Sequence, residues 1–169
     1  TWTLTVPMSI GRFQHTSTLL PDGRVLVTGG DDGLGSYLNS VEIYDPNTAT
    51  WTLVNSMEIN RSTHSAVLLS SGRVLITGGV GGTYSVRLTS SEVYDPSIDT
   101  WSSFTGPSTI KRAEHTSHLI PGGLAGRVLL VGGTSGTVEG DGSEIFDEWW
   151  GPGGDPSGWY AGGTSPAFA

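Results

Sequence analysis

Short apolar runs recur along the chain at a nearly constant period. A first run, Thr18-Leu19-Leu20, returns as Val67-Leu68-Leu69 and Leu119-Ile120. A second, Arg24-Val25-Leu26-Val27, returns as Arg73-Val74-Leu75-Ile76 and Arg127-Val128-Leu129-Leu130. Each second run ends within a few residues on a glycine pair: Gly29-Gly30, Gly78-Gly79 or Gly132-Gly133. A third run alternates in character, Val41-Glu42-Ile43-Tyr44-Asp45-Pro46, then Glu92-Val93-Tyr94-Asp95-Pro96 and Glu144-Ile145-Phe146-Asp147. Trp51 and Trp101 follow, each six residues past its Asp. The runs are short, rich in β-branched and aromatic residues, and bounded by turn residues, so each unit predicts four strands, a to d.

The polar positions agree. Pro21-Asp22-Gly23 and Ser70-Ser71-Gly72 suit an a–b hairpin turn. The Asp-Pro pairs suit the c–d turn, because Pro fixes φ and Asp bonds its own backbone. Strand c places Val41 and Ile43 on one face and Glu42 and Tyr44 on the other. Strand b is apolar almost throughout, as a strand buried on both faces is. The glycine pairs predict a close approach of backbone or of a neighbouring unit, which a Cβ would block. The strand-d tryptophans offer a large apolar area to fill the space between units.

An Arg-x-x-His element leads each unit: Arg12-Phe13-Gln14-His15, Arg61-Ser62-Thr63-His64 and Arg112-Ala113-Glu114-His115, spaced 49 and 51 residues apart. A four-stranded sheet of this size cannot bury both faces alone, and radial stacking around an axis solves that problem. Period, paired glycines and the Tyr-Asp-Pro…Trp ending together resemble the kelch repeat. The resemblance implies an all-β, kelch-type β-propeller with three four-stranded blades, at 7–55, 56–106 and an irregular 107–163. Thr1-Trp2-Thr3-Leu4 matches Thr50-Trp51-Thr52-Leu53, so residues 1–6 read as strand d of another blade, and 164–169 as the approach to a new repeat or a tail. Trp159 is expected to be the strand-d tryptophan of the third blade. Propellers need about four blades or more to close. Two readings stay open: a piece of a longer propeller, or a half-propeller that two chains complete as a homo-oligomer.

The chain has 169 residues and a formal net charge of −8. That acidity argues against nucleic acid or anionic membrane as partner, since both require a basic surface. No cysteine is present, which excludes disulfides and thiolate sites. No apolar stretch is long enough for a membrane helix. Lys111 is the only lysine beside seven arginines. That scarcity, with a likeness to secreted kelch chains, leans toward an extracellular or cell-surface location. Asn60-Arg61-Ser62 matches the glycosylation acceptor pattern.

In kelch propellers the start of strand a lies near the mouth of the central channel, and some intracellular kelch adaptors use arginines there to grip acidic peptides. The resemblance implies that role for Arg12, Arg61 and Arg112, whose guanidinium forks suit carboxylate, sulfate or sugar hydroxyls. The competing reading pairs each arginine within its blade, with Glu42, Glu58, Glu92 or a residue like Asp45; recurrence in every repeat favours it. For His15, His64 and His115, bonding to neighbouring groups outweighs a metal reading, and Arg24, Arg73 and Arg127 read as turn or inter-strand partners. The b–c loops vary between repeats, and variation on a fixed scaffold is where binding specificity resides. Tyr37, Tyr84, Arg87 and Asp141 are the candidates there. Asp31-Asp32 and Glu139/Asp141 match no complete calcium loop. Trp149-Trp150 through Trp159-Tyr160 offer rings for a sugar or cover for the third blade's edge.

A binding module for protein or glycan ligands, without cofactor, is therefore expected. A self-assembling extracellular-layer protein is one alternative. A fragment of a galactose-oxidase-like enzyme is another, although that group's copper site needs a cysteine cross-linked to tyrosine and a Tyr-His pair, and this chain has neither.

Overall fold

The computed structural model describes residues 1–82, 84–104, 108, 110–121, 127–135, 142–147 and 159–161. The expected units form as four-stranded antiparallel sheets. The first comprises β1 (Thr16–Leu19), β2 (Val25–Thr28), β3 (Val41–Asp45) and β4 (Thr50–Val54), in that spatial order. Between it and the next sheet lies β5 (Arg61–Ser62). The second sheet comprises β6 (Ser65–Leu68), β7 (Val74–Thr77), β10 (Ser91–Asp95) and β11 (Thr100–Phe104); its b–c loop carries β8 (Val80–Gly81) and β9 (Val86–Arg87), and β8 pairs with β5 on one side and β9 on the other in a small sheet of their own. The third comprises β12 (Thr116–Ile120), β13 (Arg127–Val131), β14 (Ser143–Asp147) and β15 (Trp159–Ala161). Trp159 pairs with Phe146, as Trp51 pairs with Tyr44 and Trp101 with Tyr94. Residues 1–8 form no strand.

Local chemistry fixes these elements. At the a–b turn Gly23 adopts φ 89°, and its N–H donates to the Leu20 carbonyl at 3.0 Å. At the c–d turns the Asp45 and Asp95 carboxylates accept the N–H of Asn47 and Ser97 at 2.8 and 2.9 Å, the predicted Asx turns. Strand b is buried as expected: all four residues of β7 are inaccessible.

The cores lie between sheets. Leu20, Leu26, Val41 and Ile43 of the first sheet meet Met57, Val74, Ile76 and Tyr94, with Leu68 and Trp101 packed at the margin. Leu69, Leu75 and Val93 of the second sheet meet Val128, Leu130 and Phe146 of the third. Strand β1 lies beside β6, and β6 beside β12, so the first strands of successive blades are neighbours. Each fully buried Val, Leu or Ile contributes roughly 2 kcal/mol.

The glycine pairs sit where these blades touch. A Cβ on Gly29 would lie 2.4 Å from the Arg61 carbonyl oxygen of the next blade, and one on Gly78 would lie 2.5 Å from that of Arg112. Both glycines also hold φ near 58°. Gly78→Ala therefore combines left-handed strain with a backbone clash, and should lower unfolding stability by about 3 kcal/mol or more. Ser71→Ala, on an exposed turn, is the matched control in urea denaturation; equal midpoints for the two would refute the close-approach reading.

Candidate functional site

Each Arg-x-x-His arginine enters its own blade. The Arg12 guanidinium donates to the carbonyls of Gly29 and Ser40, both at 2.9 Å, and pairs with Glu42 at 2.8 Å. Arg61 repeats this with Gly78 (2.8 Å), Ser90 (3.1 Å) and Glu92 (2.7 Å). Arg112 does so with Gly132 (2.9 Å), Gly142 (3.1 Å) and Glu144 (2.9 Å). None of the three side chains is more than 1% exposed. The expectation that Arg12, Arg61 and Arg112 present cations to a ligand is thus corrected: their donors are spent tying the start of strand a to the end of b and to c. Burial pushes the Glu42 carboxyl up, but the Ser9 and Ile10 N–H groups and Arg12 outweigh it and hold it below its ordinary value.

His64 and His115 bridge blades. His64 Nε2 shares hydrogen bonds with the hydroxyls of Thr16 and Thr28 of the first blade, both at 2.9 Å. His115 Nε2 does so with Thr77 of the second at 2.8 Å. Burial, with the Arg61 charge and the two other ring histidines behind it, lowers the His64 pKa to about 3. Burial and Arg112 lower that of His115 to about 4. Both are neutral, structural side chains. Among the described residues no group of three or more His, Asp or Glu comes together for a metal.

Asn60 also has a structural task. Its Nδ2 donates to the Tyr37 carbonyl at 3.3 Å, and its Oδ1 accepts the Gly82 N–H at 2.7 Å. The amide that glycosylation would modify instead links the first and second b–c loops. Asp31 and Asp32 brace the first loop, accepting the N–H groups of Gly33, Leu34 and Ser36. Arg87 Nε donates to Thr134 Oγ1 of the third blade at 3.1 Å. Tyr37, Tyr84 and Arg87 therefore sit on loops that hydrogen bonds tie together; Asp141, Glu139 and Trp149-Trp150 lie outside the described residues. Tyr84 is 84% exposed, and Phe13 and Leu34 are exposed as well.

Sequence reasoning missed Gln14, Thr63 and Glu114. These residues between Arg and His hold left-handed backbone, φ 54°, 51° and 61°. They form a hydrogen-bonded chain from blade to blade, Thr63 N–H to the Gln14 carbonyl at 3.0 Å and Glu114 N–H to that of Thr63 at 2.9 Å. Their variation inside an otherwise fixed Arg-x-x-His was the available signal. At the far end of the blades, a cleft of about 470 Å³ between a–b turns is lined by Asp22, Arg24, Arg73 and Asp95, with Arg24 paired to Asp22 at 2.7 Å. Its mixed charges give no net attraction for an ion of either sign.

The Kelch motif profile matches residues 13–58 and 61–108, which is more than half of the chain. A search of curated proteins gives no match. Many solved chains match in fold; one, described as the structure of YjhT, aligns with a TM-score of 0.71 at 19% identity, over 87% of this chain and 52% of that one. This chain thus spans about half the length of that neighbour. With the motif matched over most of two blades and the same four-stranded unit formed a third time, the chain belongs to the kelch-repeat β-propeller family.

Proposed function

We propose that this chain is a non-catalytic binding module that engages a protein or glycan through its b–c loops. One observation carries the reading: Tyr84 and Leu34 stand exposed on b–c loops that Asn60 and Arg87 hold in place, with the exposed Phe13 bridged to Asp31 beside them, while the repeated arginines, His64 and His115 are consumed inside the scaffold. Exposed rings on a rigid support suit stacking on a sugar or an apolar peptide residue at small entropic cost. The net charge of −8 disfavours strongly acidic ligands. Parallel glycan and peptide arrays, probed with the chain and with a Tyr37→Ala/Tyr84→Ala variant, test this. Binding should fall at least about tenfold, equivalent to roughly 1.4 kcal/mol, with the thermal midpoint little changed. A ligand held equally well by the double variant would move the site off these loops.

A further inference from the structure

At the end of the blades opposite the b–c loops, the a–b turns of the first two blades and the c–d turn of the second border the cleft of about 470 Å³. That volume falls within the roughly 300–1,000 Å³ usual for small-ligand clefts. The two a–b turns adjoin: a Cβ on Gly72 would lie 3.7 Å from Pro21 Cγ. Pro96 and Ser97 of the c–d turn line it as well.

Arg24, Arg73 and Arg127 open the second strand of the three blades. In the third, Arg127 Nε donates across the sheet to Asp147, its register partner, at 3.3 Å. The first blade departs from this. Val25 pairs with Tyr44, so Asp45 stands opposite Arg24. Yet Arg24 Nε donates to Asp22 Oδ2 at 2.7 Å, and its N–H donates to Asp22 Oδ1 at 3.0 Å. The second blade follows the first, with Arg73 Nε donating to Ser71 Oγ at 3.3 Å. Both arginines of the cleft are thus held at Nε by the residue two positions earlier. Arg24 keeps both terminal Nη groups without a partner among the described residues. Asp95 is fixed too, its Oδ1 accepting the N–H and the hydroxyl of Ser97 at 2.9 and 2.6 Å. The cleft therefore presents an oriented guanidinium fork, two oriented carboxylates and the rings of Pro21 and Pro96.

We propose that this cleft is a second ligand site and that it takes a neutral saccharide. Adjacent hydroxyls of a sugar need fixed donors beside fixed acceptors: their oxygens accept from the Arg24 Nη groups, and their protons go to a carboxylate. Asp22 and Asp95 both sit below the ordinary carboxylate range, Asp22 chiefly through the Arg24 N–H and Asp95 through the Ser97 hydroxyl, so both are acceptors at neutral pH. The proline rings offer apolar faces to sugar C–H groups. An anion meets Asp22 and Asp95, and a cation meets Arg24 and Arg73, so neither sign gains. A zwitterion gains little, because ion pairs in a half-open cleft barely exceed hydration. The site is independent of the b–c loop reading, which concerns the opposite end of the blades.

The test titrates the whole chain, followed by its backbone amide shifts, with glucose, galactose, mannose, maltose and cellobiose, and with glycine and betaine as zwitterions. At least one sugar should give saturable shifts at Arg24, Gly72 and Ser97, with a Kd on the order of 1 mM. Arg24→Ala removes the fork and breaks only a half-exposed ion pair, so the variant should stay folded and bind that sugar at least about tenfold more weakly. The Tyr37→Ala/Tyr84→Ala variant should bind it as wild type does, which separates this site from the loops. Absence of saturable shifts at the cleft with every sugar, preference for a zwitterion, or equal affinity in Arg24→Ala overturns the proposal. Shifts confined to Phe13, Leu34 and Tyr84 overturn it too, while leaving the loop site standing.

Discussion

Arg61→Ala should unfold the chain or lower its stability by ~3–5 kcal/mol, a large share of the ~5–15 kcal/mol that holds a typical domain. The substitution leaves the Glu92 carboxylate buried, with the Glu58 and Ile59 N–H groups as its donors among the described residues. It also strips the Gly78 and Ser90 carbonyls of a shared donor. Desolvation of that many polar groups without compensation is the costly half of a buried ion pair, and the net gain from the intact pair is much smaller. Arg61→Lys keeps a charge but cannot reach carbonyls and carboxylate at once, so it should fall between wild type and alanine. Arg24→Ala, which breaks only the half-exposed pair with Asp22, should change stability by less than about 1 kcal/mol. Urea denaturation followed by tryptophan fluorescence ranks the three. Equal midpoints for Arg61→Ala and Arg24→Ala would remove the buried pair from the account of this fold.

Acid should weaken the chain well above the pH at which its carboxylates titrate. His64 and His115 ionise near pH 6.5 when unfolded, but only near pH 3 and 4 when folded. Above pH 6.5 neither state binds these protons and the histidines contribute no pH dependence. As pH falls below 6.5 the unfolded chain takes up protons that the native chain refuses, so stability drops by roughly 1.4 kcal/mol per pH unit and per histidine. The loss ends at the folded pKa, on the order of 5 kcal/mol for His64 and 3 kcal/mol for His115. The surrounding charges agree with this direction: Arg61, His115 and His15 oppose a proton on His64, and Arg112 opposes one on His115 against a smaller pull from Glu144. The lowered Glu42 adds a further loss at lower pH. Urea midpoints measured from pH 8 to pH 4 should fall steadily, and His64→Gln should flatten the slope by one proton. A wild-type profile flat between pH 6.5 and 4.5 would mean that these histidines are solvated.

The blades were legible in sequence because their causes are local and repeated. Alternation, Asp-Pro turns and tryptophan placement each act within a few residues, and three copies make the period visible; even the irregular third blade keeps its Phe146–Trp159 register. The sequence also indicated that the glycine pairs mark a close approach. What it could not decide was the direction in which a long polar side chain points. Arg12, Arg61 and Arg112 are compatible with a channel mouth or a blade interior, and only packing placed Glu42, Glu92 and Glu144 within 3 Å of them. Distances between residues some thirty positions apart are set by sheet register and twist, which composition and period do not encode. The same holds for Asn60, which reads as a glycosylation acceptor but is consumed by loops of two different blades. Period and turn chemistry therefore determined the repeat and its strands and favoured a scaffold role for the arginines and histidines, whereas only the tertiary structure showed which groups Arg12, Arg61, Arg112, His64 and His115 meet and left Tyr84 facing solvent, because burial depends on neighbours that are remote in sequence.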